Sequence, residues 1–510
     1  MSRWIIALTV ILPTLLEVID TSVVNVSLNH IRGSLSAGID EATWTITAYL
    51  VANAIIIPMT GWLSRLVGRK RYLMLSVGLF TFSSFLCGSA HSLSALIFYR
   101  ILQGIGGGGL QPLSQAILLE TFPPAKHGIA MAVYGIGVLF GPIIGPLLGG
   151  WITDNWSWPW IFYINIPIGL ISIIMTMFFI VDPPYLRRVN IREKIDYWGL
   201  GLIVVGIGCL QVVLDKGQRE DWFSSAFIIR LAIISAVALI AFIIVELRTR
   251  DPILNLRALE NVAFASANVI QLIAFFALFG SIVILPIFVQ ELMGYTAFLA
   301  GMVLAPGGVA TVLIMPLVGL SLTRINPKAI LICGIVIMAY SMFMMTRFNL
   351  SVDYDIIAWS RIVMGVGMGM IMVPLMTMAF ATIKKEEMAN ATSIFSLIRN
   401  IAGSFGVAIM TTILARRAQF HQARLSEQLN PYDTHYQLGL NKAMSVLGAK
   451  AGPVSEHAAN GLIFQQLMRQ ANLFSFNDAF HVASIMMICV VPLVFLLKRP
   501  RHDVPGPVIH

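Results

Sequence analysis

Apolar residues along this chain fall into long blocks of about twenty positions separated by short polar breaks. The first six blocks lie at 5–27, 43–63, 72–91, 95–118, 128–151 and 160–181. Eight more follow at 197–215, 226–246, 264–288, 299–320, 328–347, 355–378, 388–413 and 477–497. Each is long enough to cross a hydrocarbon core as a helix, so the pattern predicts fourteen transmembrane helices. Blocks of this length argue for a helical polytopic protein rather than a barrel, because a helix satisfies its own backbone groups in lipid. The first block follows a basic flank, as a signal peptide would. It contains Glu17 and Asp20 and lacks a small-residue cleavage site, so it reads as the first span.

Two charged breaks, DPPYLRRVNIREKID at 182–196 and RTRDPILNLRALEN at 248–261, divide the blocks into six, two and six. The expected organisation is an N-terminal six-helix bundle (1–181), a cytoplasmic linker (182–196) and two additional helices (197–246). A cytoplasmic connection (247–263), a C-terminal six-helix bundle (264–497) and a cytoplasmic tail (498–510) complete it. Within the last bundle, 414–475 is a long polar insertion. ARRAQFHQARLSEQLN reads as a helix leaving the bilayer and stopping at Asn430–Pro431, and LIFQQLMRQANLF reads as a second, amphipathic helix. A water-exposed hairpin and a docking surface both fit this stretch.

The two sixes echo each other. RILQGIGGGG at 100–109 matches RIVMGVGMGM at 361–370, a shift of 261, with Arg100/Arg361, Gly104/Gly365, Gly106/Gly367 and Gly108/Gly369 coinciding. Pro58, Gly61 and Arg65 return as Pro316, Gly319 and Arg324, shifted by 258 to 259, and Gly141 and Gly145 have a fainter echo in Gly403 and Gly406. In-order echoes at nearly one shift point to duplicated halves related as in parallel-repeat transporters, with substrate handled between them. The fold class expected is an all-α polytopic membrane protein of two pseudo-symmetric six-helix bundles plus two extra helices.

Composition agrees: 57% of the 510 residues are hydrophobic and 12% charged, with a mean hydropathy of +0.82. The net charge of +9 raises the question of nucleic acid, but its distribution answers it. One alternate set of termini and loops holds 20 of the 34 Lys and Arg residues, including Arg65, Arg69, Lys70, Arg71, Lys126, Arg324, Lys328, Lys384 and Lys385. That bias places those loops and both termini in the cytoplasm. Cys87, Cys209, Cys333 and Cys489 lie far apart inside spans and read as small core residues, with neither disulfide nor metal spacing. No nucleotide-binding or metal-binding motif appears, so no cofactor is expected and an ion gradient is the expected energy source.

Charged residues within apolar blocks carry the candidate chemistry. Glu17 and Asp20 are spaced i,i+3 and are expected to share a helix face turned to the protein interior. They are read either as proton-handling carboxyls or as a structural pair. Arg100 lies deep in the fourth block, and Gln103, Gln111 and Ser114 are expected to continue its polar stripe along one helix. Proton coupling is assigned to Asp20, Glu17, Arg100 and Gln103. GIGVLFGPIIGPLLGG at 135–150 sets Gly137, Gly141, Gly145 and Gly149 on one bare helix face, with Pro142 and Pro146 permitting bending. It is read as a gate or as static small-residue packing. An adaptable apolar cavity between the halves is expected at Phe275, Phe276, Met364, Met368 and Met372, with Asn268, Gln271 and Gln111 as polar anchors. The ninth block carries no acid to match Glu17 and Asp20, so Arg361, with Arg399, is read as structural.

These motifs together resemble the major facilitator superfamily, in its fourteen-span drug:proton antiporter group. EVIDTSVVNVSL, RILQGIGGGG, GVLFGPIIGPLLGG and WSWPWIFYINIPIG resemble its first-, fourth-, fifth- and sixth-span signatures, and LDKGQREDWFSS and ANAIIIPMTGWL resemble the EmrB branch. One departure is Arg65, where the superfamily usually has an acid that latches the halves. The tenth block also lacks the acid that QacA-like relatives use for divalent cations, which favours neutral, anionic or lipophilic compounds. The resemblance implies proton-driven multidrug efflux from the bacterial inner membrane, with lipophilic drugs and protons as ligands. It also implies a periplasmic adaptor docking on 414–475 and, through it, an outer-membrane channel. A dedicated exporter of one metabolite, such as a siderophore or fatty acid, and a proton-coupled importer are the alternatives.

Overall fold

The computed structural model describes residues 3–183, 196–249, 251–427, 429–430, 432, 434–446 and 453–497. Among them the chain is helical throughout, without a strand. The N-terminal half comprises α1 (Arg3–Ser34), α2 (Ile39–Val67), α3 (Arg69–Gly88), α4 (Leu93–Gly107), α5 (Leu110–Thr121), α6 (His127–Asn155), α7 (Trp160–Tyr163) and α8 (Asn165–Phe179). Two further helices follow, α9 (Tyr197–Lys216) and α10 (Ala226–Arg248). The C-terminal half comprises α11 (Val262–Ile287), α12 (Ala297–Ser321), α13 (Pro327–Met345), α14 (Tyr354–Phe380), α15 (Met388–Glu427), α16 (Thr434–Val446) and α17 (Pro453–Cys489).

Among the described residues, twelve helical stretches are long and apolar enough to cross a membrane. The 29-residue α6, and α4 and α5 taken together, are also of a length that could cross one. The expected single fourth helix is divided. Pro112 has no N–H to give the Gly108 carbonyl, and the run of glycines before it adds nothing to hold the turn. Gly108 and Gly109 keep right-handed helical angles across the interruption.

The echoed glycines pack in the same way in both halves. A Cβ on Gly104 would meet Ala52 at 2.8 Å on α2, and one on Gly106 would meet Ser76 O at 2.9 Å on α3. In the second half Gly365 faces Thr311 on α12 and Gly367 faces Gly334 and Met338 on α13. The other echo closes the molecule. At the end bearing Arg65, Lys126, Arg324 and Lys385, Gly61 of α2 lies against α15, where its N–H donates to Ser393 Oγ at 3.1 Å. Gly319 of α12 lies against Gly128 of α6, where a Cβ on Gly319 would meet the Gly128 carbonyl at 3.0 Å. Second and fifth spans of opposite halves thus meet backbone to backbone at this basic end.

At the opposite end the α9–α10 pair stands between the halves. Asp215 and Thr47 share a hydrogen bond, and Lys216 Nζ donates to Thr43 Oγ1 at 2.7 Å, both on α2. Gln211 Nε2 donates to Ser404 Oγ at 2.8 Å and Trp222 Nε1 to Thr412 Oγ1 at 2.9 Å, both on α15. The outer face of α10 is apolar and exposed (Ile233 58%, Val237 63%, Ile240 60%), as a lipid-facing surface must be.

Several expectations need correction. The helices α15 and α17 have 40 and 37 residues, well beyond the length a bilayer requires. The stretch 462–474 is therefore no separate amphipathic helix but the early part of α17, continuous with the last span. Arg417 Nε and His421 Nε2 lie 2.5 and 2.7 Å from Asp478 Oδ2 and tie the two extensions together. Only Cys87 is a buried core cysteine; Cys333 and Cys489 face outward, and all four are free thiols. Most of the 182–196 linker (184–195) and the 498–510 tail lie outside the described residues.

Candidate functional site

Asp20 stands in the middle of α1, fully buried, and α4 and α8 offer its carboxylate three donors. Arg100 Nη1 donates to Oδ2 at 2.6 Å. Gln103 Nε2 and Asn165 Nδ2 donate to Oδ1 at 2.9 and 2.7 Å. Arg100 is 1% exposed. Its Nε donates to the Thr45 carbonyl at 3.1 Å, Nη1 also reaches Gln103 Oε1 at 2.6 Å, and the guanidinium lies 4.1 Å from the Tyr49 ring centroid. Ser84 Oγ accepts from both amides and donates to the Phe162 carbonyl at 2.9 Å. A buried ion pair is tolerable only when its remaining lone pairs and protons are satisfied, and this network from α1, α2, α3, α4 and α8 does that. It lies wholly inside the N-terminal half.

Glu17 does not join it. Its Oε1 accepts from Asn53 Nδ2 at 2.9 Å, and its buried Oε2 has no hydrogen-bond partner. The single acidic face expected of α1 is in fact two separate sites.

The polar stripe expected along the fourth span divides as well. Gln103 belongs with Asp20, whereas Gln111, beyond the interruption, accepts a hydrogen bond from Arg399 Nη2. Tyr134 OH of α6 receives Arg399 Nη1 at 3.5 Å and donates to the Gln111 carbonyl at 3.4 Å. Arg399 comes from α15, so its bonds run to the other half. Ser114 Oγ on α5 is buried without a partner.

Arg361 is buried in α14, as Arg100 is in α4, but its company is neutral. Nη1 donates to Ser281 Oγ and contacts Met364 Sδ, both at 3.0 Å. The duplicated arginine thus has a carboxylate partner only in the first half.

The cavity candidates of the second half are packed. Phe275, Phe276, Met364, Met368 and Met372 are each at most 2% exposed. Asn268 Nδ2 donates to its own helix at the Phe264 carbonyl, and Gln271 Nε2 to the Phe395 carbonyl at 2.6 Å. Of this set, Phe275 approaches the interface, 6.0 Å from Arg399 Cζ.

The glycine face of α6 meets α1. Cβ atoms at Gly137 and Gly149 would approach Ile11 Cγ2 and Val23 Cγ1 at 3.1 Å each, and those at Gly141 and Gly145 would collide with Val18 and Ser22. The bare seam therefore lies along the helix that carries both acids. α6 stays helical through positions 142 and 146. Asn53, Ser84, Asn165 and Tyr134 were missed by sequence reasoning. Asn165 stood in the INIPIG motif as the one strongly polar side chain of that stretch, which was its signal.

Two repeated helical halves, joined at one end and carrying buried charge near their interface, define a membrane transporter. The chain belongs to the Major Facilitator Superfamily, whose pattern matches residues 10–407. It is 35% identical to the multidrug export protein EmrB of Escherichia coli (strain K12), over 97% of this chain and 95% of the relative. It is 34% identical to the fatty acid resistance protein FarB of Neisseria gonorrhoeae, over 98% of this chain and 97% of the relative. In fold it is similar to the human organic anion transporter MFSD10 (TETRAN), with a TM-score of 0.60 and 12% identity, over 96% of this chain and all of the other. It is a multi-pass transporter of EmrB type, not an enzyme.

Proposed function

We propose that this protein is a proton-driven exporter of lipophilic small molecules, working by alternating access in a bacterial inner membrane. The observation that carries the reading is the enclosed Asp20–Arg100 pair, which has no charged counterpart around Arg361. A carboxylate balanced by one guanidinium and two amides can take a proton at the cost of loosening Arg100. That loosening changes the contacts of α1 with α2, α4 and α8. Proton uptake and substrate binding then bias the two access states against each other. With the basic end cytoplasmic, the meeting of α2 with α15 and of α6 with α12 corresponds to a closed cytoplasmic gate. The extensions of α15 and α17, with α16, then project into the periplasm as the dock for an adaptor leading to an outer-membrane channel. The FarB relative favours an amphipathic anion such as a fatty acid among the substrates, which keeps the dedicated-exporter reading in view.

The test is Asp20→Asn in proteoliposomes with an imposed pH gradient. Gradient-driven substrate movement is expected to disappear while substrate binding stays measurable. Undiminished gradient-driven transport rejects the proton role.

A further inference from the structure

Arg399 belongs by sequence to the C-terminal half and by contact to the N-terminal one. The residue is 6% exposed, and its guanidinium is bonded to Gln111 of α5 and Tyr134 of α6. Among the described residues no carboxylate lies within ion-pair distance of it. A guanidinium keeps its proton in a protein, so this charge needs compensation from its surroundings. Glu17 is near enough to supply it electrostatically, and its Oε2 is buried and unbonded. Gln111 stands between them. Its Oε1 is taken by Arg399, which leaves only its amide N–H₂ to face the nearby Glu17 carboxylate, to which it makes no hydrogen bond in this arrangement.

We propose that Glu17, Gln111 and Arg399 form a relay across the two halves, coupling the charge on α1 to the position of α15. This rests on the proton-driven reading above and adds to it a second carboxyl with a different job. While Glu17 is ionised, its field and the oriented amide hold Arg399 against the N-terminal half. A proton added to Glu17 removes that field. The guanidinium is then left buried with only a neutral amide and a phenol, an arrangement that favours movement of α15 away from α5 and α6. The other groups facing Glu17 are Asp20 on α1 itself, Tyr49 on α2, Arg100 on α4 and Tyr134 on α6; Arg100 is engaged by Asp20.

The experiment uses the full chain in lipid nanodiscs, with native cysteines replaced and spin labels at Lys126→Cys and Arg324→Cys, exposed positions beside the α6–α12 contact. The distance distribution between labels is expected to shift on acidification. Glu17→Gln is expected to give the acid distribution at every pH. Arg399→Gln should do the same, and the double variant should add nothing further. Arg399→Lys, which keeps the charge, should restore part of the pH response. A normal pH response in Glu17→Gln, or a wild-type distribution in Arg399→Gln, overturns the relay. A response lost in Asp20→Asn but intact in Glu17→Gln overturns it while leaving proton-driven export standing. Gradient-independent export by the wild type defeats the export reading and the relay with it.

Discussion

Arg100 and Arg361 occupy the same register of their repeats, and the difference between them is what each would leave behind. Truncating Arg100 strands a buried Asp20 carboxylate. Arg100→Ala should therefore lower stability by about 3–5 kcal/mol. Arg361→Ala strands only a serine hydroxyl and a thioether and should cost about 1–2 kcal/mol. Thermal unfolding of the two variants in detergent, each against wild type, checks the ordering; equal losses contradict it. Both arginines and Asp20 were legible in the sequence because a charge inside an apolar block is costly and so conspicuous. The division between Asp20 and Glu17 was not legible. Three residues along a helix leave two side chains about 60° apart. Whether that gap falls within one neighbouring surface or across two depends on packing, which spacing does not encode. Ser84 and Asn165 escaped for a related reason: small polar groups are ordinary in membrane helices until a charge beside them gives them a role.

Among the elements, α6 owes its place to missing side chains. A Cβ at Gly145 would run into Ser22, whereas one at Gly150 meets nothing within 4 Å. Gly145→Ala should therefore push α1 and α6 apart, at about 1–3 kcal/mol, and depress transport. Gly150→Ala on the same helix should leave stability unchanged or raise it by up to about 1 kcal/mol through helix propensity. Melting temperatures and transport rates of the two variants test this, and a matching loss at Gly150 contradicts the seam. The seam itself was visible as a four-residue glycine period. Its partner was not, since a period names a face and not the helix that covers it. The interruption of the fourth span was also open to reading, because Pro112 removes the donor for Gly108. A continuous apolar run obscured it and gave Gln111 the wrong neighbours.

At the scale of the whole molecule, the echo of Gly61 in Gly319 has a counterpart in the packing, because each glycine meets a helix of the other half at the basic end. The long insertion was legible as helical but not as two overlong spans, since polarity marks where a helix leaves lipid and not where it ends. This changes how the docking proposal is best tested. Removing 462–474 would cut into α17, where Arg469 Nη2 donates to the Leu292 carbonyl at 2.6 Å. Replacing α16 by a short Gly/Ser linker spares that contact. The variant should insert and bind substrate normally but lose capture by a membrane-fusion adaptor in pull-downs; undiminished capture removes the dock.

The α9–α10 pair has a mechanical consequence. Thr43 and Thr412 belong to opposite halves, yet both are bonded within the short stretch from Lys216 to Trp222. That stretch works as a strut whose two feet stand on separate bodies, far from the fulcrum at Gly61 and Gly319. Rocking about that fulcrum produces its largest travel where the strut is attached. Under the alternating access proposed above, the same few side chains would bend, stretch or let go on each stroke, and the stiffness of this small span would set how wide the molecule opens.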